Sequence, residues 1–195
     1  MQTLTGKRWF IALALLGMGG VAHAHTGGLP HMDFATGAGH PFSGLDHLLA
    51  MVAVGLWAAQ LGGRALWLAP LTFVLTMAVG GMLGFVGVSL PHVELGIAGS
   101  VLILGGLVAF GSRLPLAGCI GLIGVFAIFH GYAHGAEMAV ETSALWYSLG
   151  FMAATSALHG IGIGTGLAAQ QGVAARLVRF SGAAIAASGL AMLTV

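Results

Sequence analysis

Two histidines and a glutamate stand at helical spacing in the stretch Phe129-His130-Gly131-Tyr132-Ala133-His134-Gly135-Ala136-Glu137. On a helix, His130 and His134 are one turn apart and Glu137 follows three residues later, so all three project from one face. Two imidazoles and a carboxylate on one stripe can share a metal ion. A second polar stripe lies in His40-Pro41-Phe42-Ser43-Gly44-Leu45-Asp46-His47. Imidazole and carboxylate are borderline donors that suit divalent nickel, cobalt, zinc or copper better than magnesium or calcium. Spacing alone does not rank those metals. Met51, one turn beyond His47, is a candidate soft ligand, with packing as its simpler role. His25, His31 and Asp33 precede the first stripe and are candidates for a metal-gathering lip. His159 stands alone in a later apolar run, as a candidate secondary ligand or a hydrogen-bonded packing residue.

These groups are set in a chain of 195 residues that is 58% hydrophobic and 6% charged. Soluble domains carry roughly 25% charged residues, so a water-soluble fold is excluded. The 34 glycines are interleaved with Leu, Ile, Val and Phe, which argues for close helix contact in a membrane rather than disorder. A net charge of +1 argues against a nucleic-acid partner. Cys119 is the only cysteine, so an internal disulfide and a thiolate zinc site are both ruled out. Lys7 is the only lysine, and the rest of the chain therefore has no Walker A lysine and no ATPase domain of that class.

Residues 1–24 read as a secretory signal peptide, with Lys7 and Arg8 as its basic region and Ala22-His23-Ala24 as its cleavage site. Cleavage there leaves His25 at the N-terminus and a single domain over 25–195. Hydropathy then predicts six membrane-spanning helices, at 43–61, 66–89, 95–111, 115–137, 144–168 and 174–194. The fold class is thus an all-α membrane protein, a six-helix bundle. Arg64, Arg113, Arg176 and Arg179 all fall on one side of it, which makes that side cytoplasmic and the N-terminus periplasmic. Asp33, Glu94 and Glu141 fall on the other side. If residues 40–47 are helical throughout, Asp46 and His47 lie roughly 9–10 Å below His40, at the depth of His130 in span four. Adjacent residues point about 100° apart on a helix, so Asp46 is better placed to accept from a histidine of another span than from His47. Gly160, Gly162, Gly164 and Gly166 mark span five for a broken helix or for tight packing.

The two stripes have the forms H-x5-D-H and F-H-G-x-[AV]-H-G-x-E. Carried together in spans one and four, they resemble the two signature motifs of the HupE/UreJ family of hydrogenase and urease accessory proteins. The resemblance covers the chain beyond the leader. It implies an inner-membrane nickel permease, with cobalt as a second cargo, that supplies metalloenzymes and uses no organic cofactor. By the same resemblance the working residues are His40, Asp46, His47, His130, His134 and Glu137. The alternative from the residues alone is a metal-dependent intramembrane hydrolase, with Glu137 or Asp46 activating water and Ser43 or Ser156 as a serine nucleophile. A metal-binding subunit without a pathway of its own is a third reading.

Overall fold

Backbone groups that lack water to bond must be satisfied within the segment, and an apolar run does this as a helix. The structure, a computed structural model, describes residues 30–138 and 142–194, with side chains from Asp33 onward. The signal peptide, His25 and Glu141 lie outside the described residues, as does the side chain of His31. Helix α1 spans Pro30–Gly39 and is followed by a 3-10 turn, His40–Phe42. Then come α2 (Leu45–Leu61), α3 (Ala65–Phe85), α4 (Val93–Phe110), α5 (Leu116–Ala136), α6 (Ala144–Ala168) and α7 (Gly172–Met192). No strand occurs among the described residues.

Helices α2 to α7 overlap the six predicted segments, but they are not equal as membrane spans. Four of them, α3, α4, α5 and α7, are each long and apolar enough to cross alone. The segment before residue 43 meets α2 at an angle of 80°, and the bent pair together qualifies as a fifth. Helix α6 is the longest, yet its serines, threonines, glycines and His159 dilute its apolarity. It runs unbroken, and its glycines divide: Gly162 and Gly166 pack against Gly55 and Ala59 of α2, while Gly160 and Gly164 meet nothing within 4 Å among the described residues.

Turn chemistry sets the boundaries. The second segment is predicted to reach residue 89, but α3 stops at Phe85. Gly87, at φ +75°, takes a left-handed conformation that a side chain disfavours. The amides of Gly87 and Val88 then turn back to the carbonyls of Gly84 and Leu83 at 3.1 and 3.0 Å. Gly111, at φ +62°, closes α4 in the same way, with Ser112 N–H donating to Leu107 at 3.0 Å.

Helix α2 is the central element. Ala50, Met51, Ala53, Val54, Trp57 and Ala58 have no exposed surface, and α2 packs on α6, α4 and α3. Its far end is pinned to α4: Trp57 Nε1 donates to the Ser112 carbonyl at 2.9 Å, and Gln60 Nε2 to Val108 at 3.0 Å. Around it, α3 pairs with α5 and α4 with α7, through glycines that bring backbones into contact. A Cβ at Gly80 would overlap the Ile128 carbonyl, and one at Gly105 would overlap the Ala186 amide. Apolar side chains such as Phe110, Phe180 and Met82 cover the outside.

These contacts predict a contrast between glycines. Gly80→Ala should destabilise the protein by about 1–3 kcal/mol through overpacking. Gly121→Ala, at a helix position with nothing within 4 Å, should be neutral or stabilise by roughly 0.5–1 kcal/mol. Thermal unfolding of the detergent-purified variants measures both. Equal midpoints would show that the α3–α5 contact is looser than described.

Candidate metal site

On α5 each motif histidine is followed at once by a glycine, and the pairs divide the work. Gly131 and Gly135 lie on the face pressed against α3, where a Cβ would overlap the carbonyls of Met77 and Gly81. His130 and His134 are one residue back, about 100° around the helix, and so turn inward. His130 is 0% exposed and His134 6%. Glu137 caps the helix end and is exposed.

The first stripe is not one continuous helix. The 3-10 turn carries His40, and the chain then breaks at Gly44, which is extended at φ −106°, ψ 121°. Helix α2 starts afresh at Leu45. His40 therefore does not stand one helical stretch above His47. The bend swings its ring over α5, 4.6 Å from that of His134 between centroids.

The partner of Asp46 also differs from the expectation. Its Oδ1 accepts the backbone N–H of His47 at 2.8 Å and pairs with His47 Nδ1 at 2.9 Å. The first turn of a helix has free N–H groups, so a short carboxylate there bends onto the next amide and the neighbouring imidazole joins it. Gly44 leaves the room, since a Cβ there would lie 2.7 Å from Asp46 Oδ1 and 3.1 Å from His47 Nδ1. A carboxylate only accepts, so Nδ1 carries the proton and Nε2 keeps its lone pair. That Nε2 is buried and has no hydrogen-bond partner among the described residues.

His130 is fixed by a second pair. Ser100 Oγ donates to the Ile97 carbonyl at 2.6 Å and lies 2.7 Å from His130 Nε2. The serine has one proton and spends it on Ile97, so His130 Nε2 donates and Nδ1 is left as an unpaired acceptor. Neither ring nitrogen of His134 has a hydrogen-bond partner among the described residues. The His47 ring is 4.7 Å from His130 and 4.2 Å from His134. One ligand atom each from His40, His134 and Glu137 lies within 4.8 Å of the others, close enough to share an ion. Side chains make this junction, for α2 and α5 are not principal packing partners.

A cavity of about 290 Å³ opens on the cluster, lined by His40, Asp46, His47, Glu94, His134 and Glu137 among others. Three carboxylates at its wall draw cations, and the imidazoles behind them supply borderline nitrogen donors. Phe151 packs on His134 at 4.1 Å, and Phe73 stands 5.7 Å from His130. Of the remaining candidates, Asp33 is buried and its Oδ2 accepts the Ser143 N–H at 3.0 Å, tying α1 to the start of α6. Met51 lies in the apolar core. His159 lies apart from the cluster. The hydroxyls of Ser43 and Ser156 donate to the backbone carbonyls of His40 and Met152 at 2.6 and 2.7 Å, so each proton goes to the backbone and not to an imidazole ring.

The family model described as "HupE / UreJ protein" matches residues 13–192. The chain belongs to the HupE/UreJ family. It is also 48% identical, over 183 residues, to "Protein HupE" of Rhizobium leguminosarum bv. viciae, an alignment covering 93% of this chain and 94% of that one. No solved structure matches it.

Beyond the two HupE/UreJ motifs, the site contains residues that motif reading does not give. Glu94 was visible only as an acidic residue at the rim, although its place at the start of an apolar run carried the same depth information as Asp46. Ser100, a lone hydroxyl six residues further along that run, was the only other signal. Asp46→Asn should weaken binding of a divalent transition metal about 10–100-fold, because the pair fixes which nitrogen of His47 is free. Calorimetric nickel titration of the purified protein reads this. Unchanged affinity would mean that the pair does not orient a ligand.

Proposed function

We propose that this chain is a nickel permease of the bacterial inner membrane, carrying the ion from periplasm to cytoplasm for hydrogenase or urease maturation, with cobalt as a second cargo. The observation that carries the reading is the meeting of His40, His47, His134 and Glu137 at one cavity, with His130 buried behind His47, from segments some ninety residues apart, in an apolar helical bundle. Membership of the HupE/UreJ family supports it, and the motif residues are those the resemblance implies. The arginines support the direction: Arg113 and Arg179 line a cavity at the opposite end of the bundle from the carboxylates. In this reading α2 to α7 are six spans, residues 1–24 are a cleaved leader, and the histidine cluster faces the periplasm.

The chemistry follows from the donor order. Exposed Glu137 and the other carboxylates gather the hydrated ion. The neutral imidazoles then replace part of its water shell. A potential of 100 mV, negative inside, favours inward movement by roughly 2.3 kcal/mol per charge and about twice that for a divalent ion. Binding has to be weak enough to release the ion onward, which ligands of mixed type from several segments allow.

Liposomes holding only this protein should take up nickel, and His47→Ala or His130→Ala should remove most of the flux. Liposomes that bind nickel but admit none would leave a binding subunit without a pathway.

A further inference from the structure

His159 is the polar group that the cluster leaves unused. It lies past the middle of α6, 1% exposed, and neither ring nitrogen has a hydrogen-bond partner among the described residues. A buried imidazole with both nitrogens unpaired is costly to keep. Packing alone does not require it, because leucine or methionine fills similar space without that cost.

Its surroundings extend the donor series inward. The fully buried ring of Phe73 stands edge-on to His159 at 5.0 Å, and the ring of His130 lies 5.7 Å from the same phenylalanine. One aromatic ring thus separates His159 from the most deeply buried imidazole of the cluster. One turn towards the cluster on the same face of α6 is Thr155, 0% exposed, whose hydroxyl lies 3.9 Å from Met77 Sδ. Met77 in turn is one helical turn from Phe73 on α3. An imidazole, a hydroxyl and a thioether therefore gather in a core that is otherwise apolar. Nitrogen and soft sulfur suit a borderline transition-metal cation and not magnesium or calcium.

We propose that His159 is a second, deeper stop for the transported divalent cation, with Thr155 Oγ1 and Met77 Sδ beside it, reached from His130 past the Phe73 ring. The inference rests on the permease reading and adds to it a site outside both motifs. A chain of binding stops lets an ion leave the first as the second accepts it, which keeps either from becoming a trap.

The test uses the full chain, purified for nickel titration and reconstituted for nickel flux. His159→Leu should leave nickel binding at the outer cluster within about twofold, while maximal flux falls about tenfold at a nearly unchanged half-saturating concentration. His159→Met keeps a donor and should retain most of the flux. A purely structural histidine gives no such order, since leucine packs as well as methionine. Normal flux in His159→Leu, or equal loss in both variants, overturns the proposal alone. Wild-type protein that passes no nickel overturns the permease reading and this proposal with it. A third variant, His159→Cys in a Cys119→Ser background, gives a readout independent of flux. Cadmium should develop thiolate absorption that excess nickel slows, and its absence in a chain whose outer cluster still binds nickel also overturns the proposal.

Discussion

The glycine face of α5 against the carbonyls of α3 decides where the donors point. Gly131 and Gly135 sit so close to Met77 and Gly81 that no side chain fits, which fixes both the distance between the helices and the rotation of α5 about its axis. With that rotation fixed, His130 and His134 have one direction left, towards the start of α2. The histidine-glycine repeat in the motif is thus one device: the glycine clamps and the histidine before it is aimed. Lipid tails give helices no hydrophobic reason to associate, so the dispersion contact that small residues permit carries the assembly. The same arrangement joins α4 to α7 at Gly105 and Gly182, and α2 to α6 at Gly55 and Gly162.

Within that frame the polar groups are satisfied unevenly, and the unevenness is selective. His47 gives one nitrogen to Asp46 and His130 gives one to Ser100. Each keeps the other nitrogen as a buried acceptor with no donor among the described residues. A purely structural histidine in an apolar bundle would be expected to use both, because each unpaired buried group costs on the order of 1–3 kcal/mol. Half-satisfied imidazoles have a fixed tautomer and an open lone pair, which is the state a metal ligand has to be in. The bond to Asp46 decides which nitrogen of His47 keeps its lone pair.

Much of this was legible in the residues and some was not. The apolar runs set all six long helices to within a few residues, because segment length and the absence of water leave helix as the only solution. Helix periodicity put His130 and His134 on one face. Reading 40–47 as one helix failed because a proline-led 3-10 turn and an extended Gly44 together bend the chain by 80°, and periodicity carries no sign of a bend. The Asp46–His47 pair was discounted on the angle between adjacent side chains, a rule for helix interiors that does not hold at a first turn with free amides. Asp33 read as a ligand because its bond to the Ser143 amide spans a hundred residues of chain. Glu94 and Ser100 escaped because each is a single polar residue in an apolar run, and only the fold reveals what they face.

From rim to core of the bundle, the polar groups change in kind. Glu137 caps a helix end and is exposed, and His40 sits in a turn. His47 stands in a first turn, while His130 and His159 are inside helices and almost fully buried. Carboxylate at the exposed rim suits a hydrated ion, which needs charge more than geometry. Imidazole in fixed helices suits an ion that has shed water and needs oriented lone pairs. The outside of the bundle carries exposed apolar side chains such as Phe110, Phe180 and Leu177. A resting-state metal centre would gather its ligands at one depth. Under the proposed permease reading, a carboxylate at the rim and imidazoles spaced inward through the bundle fit an ion handed from one to the next.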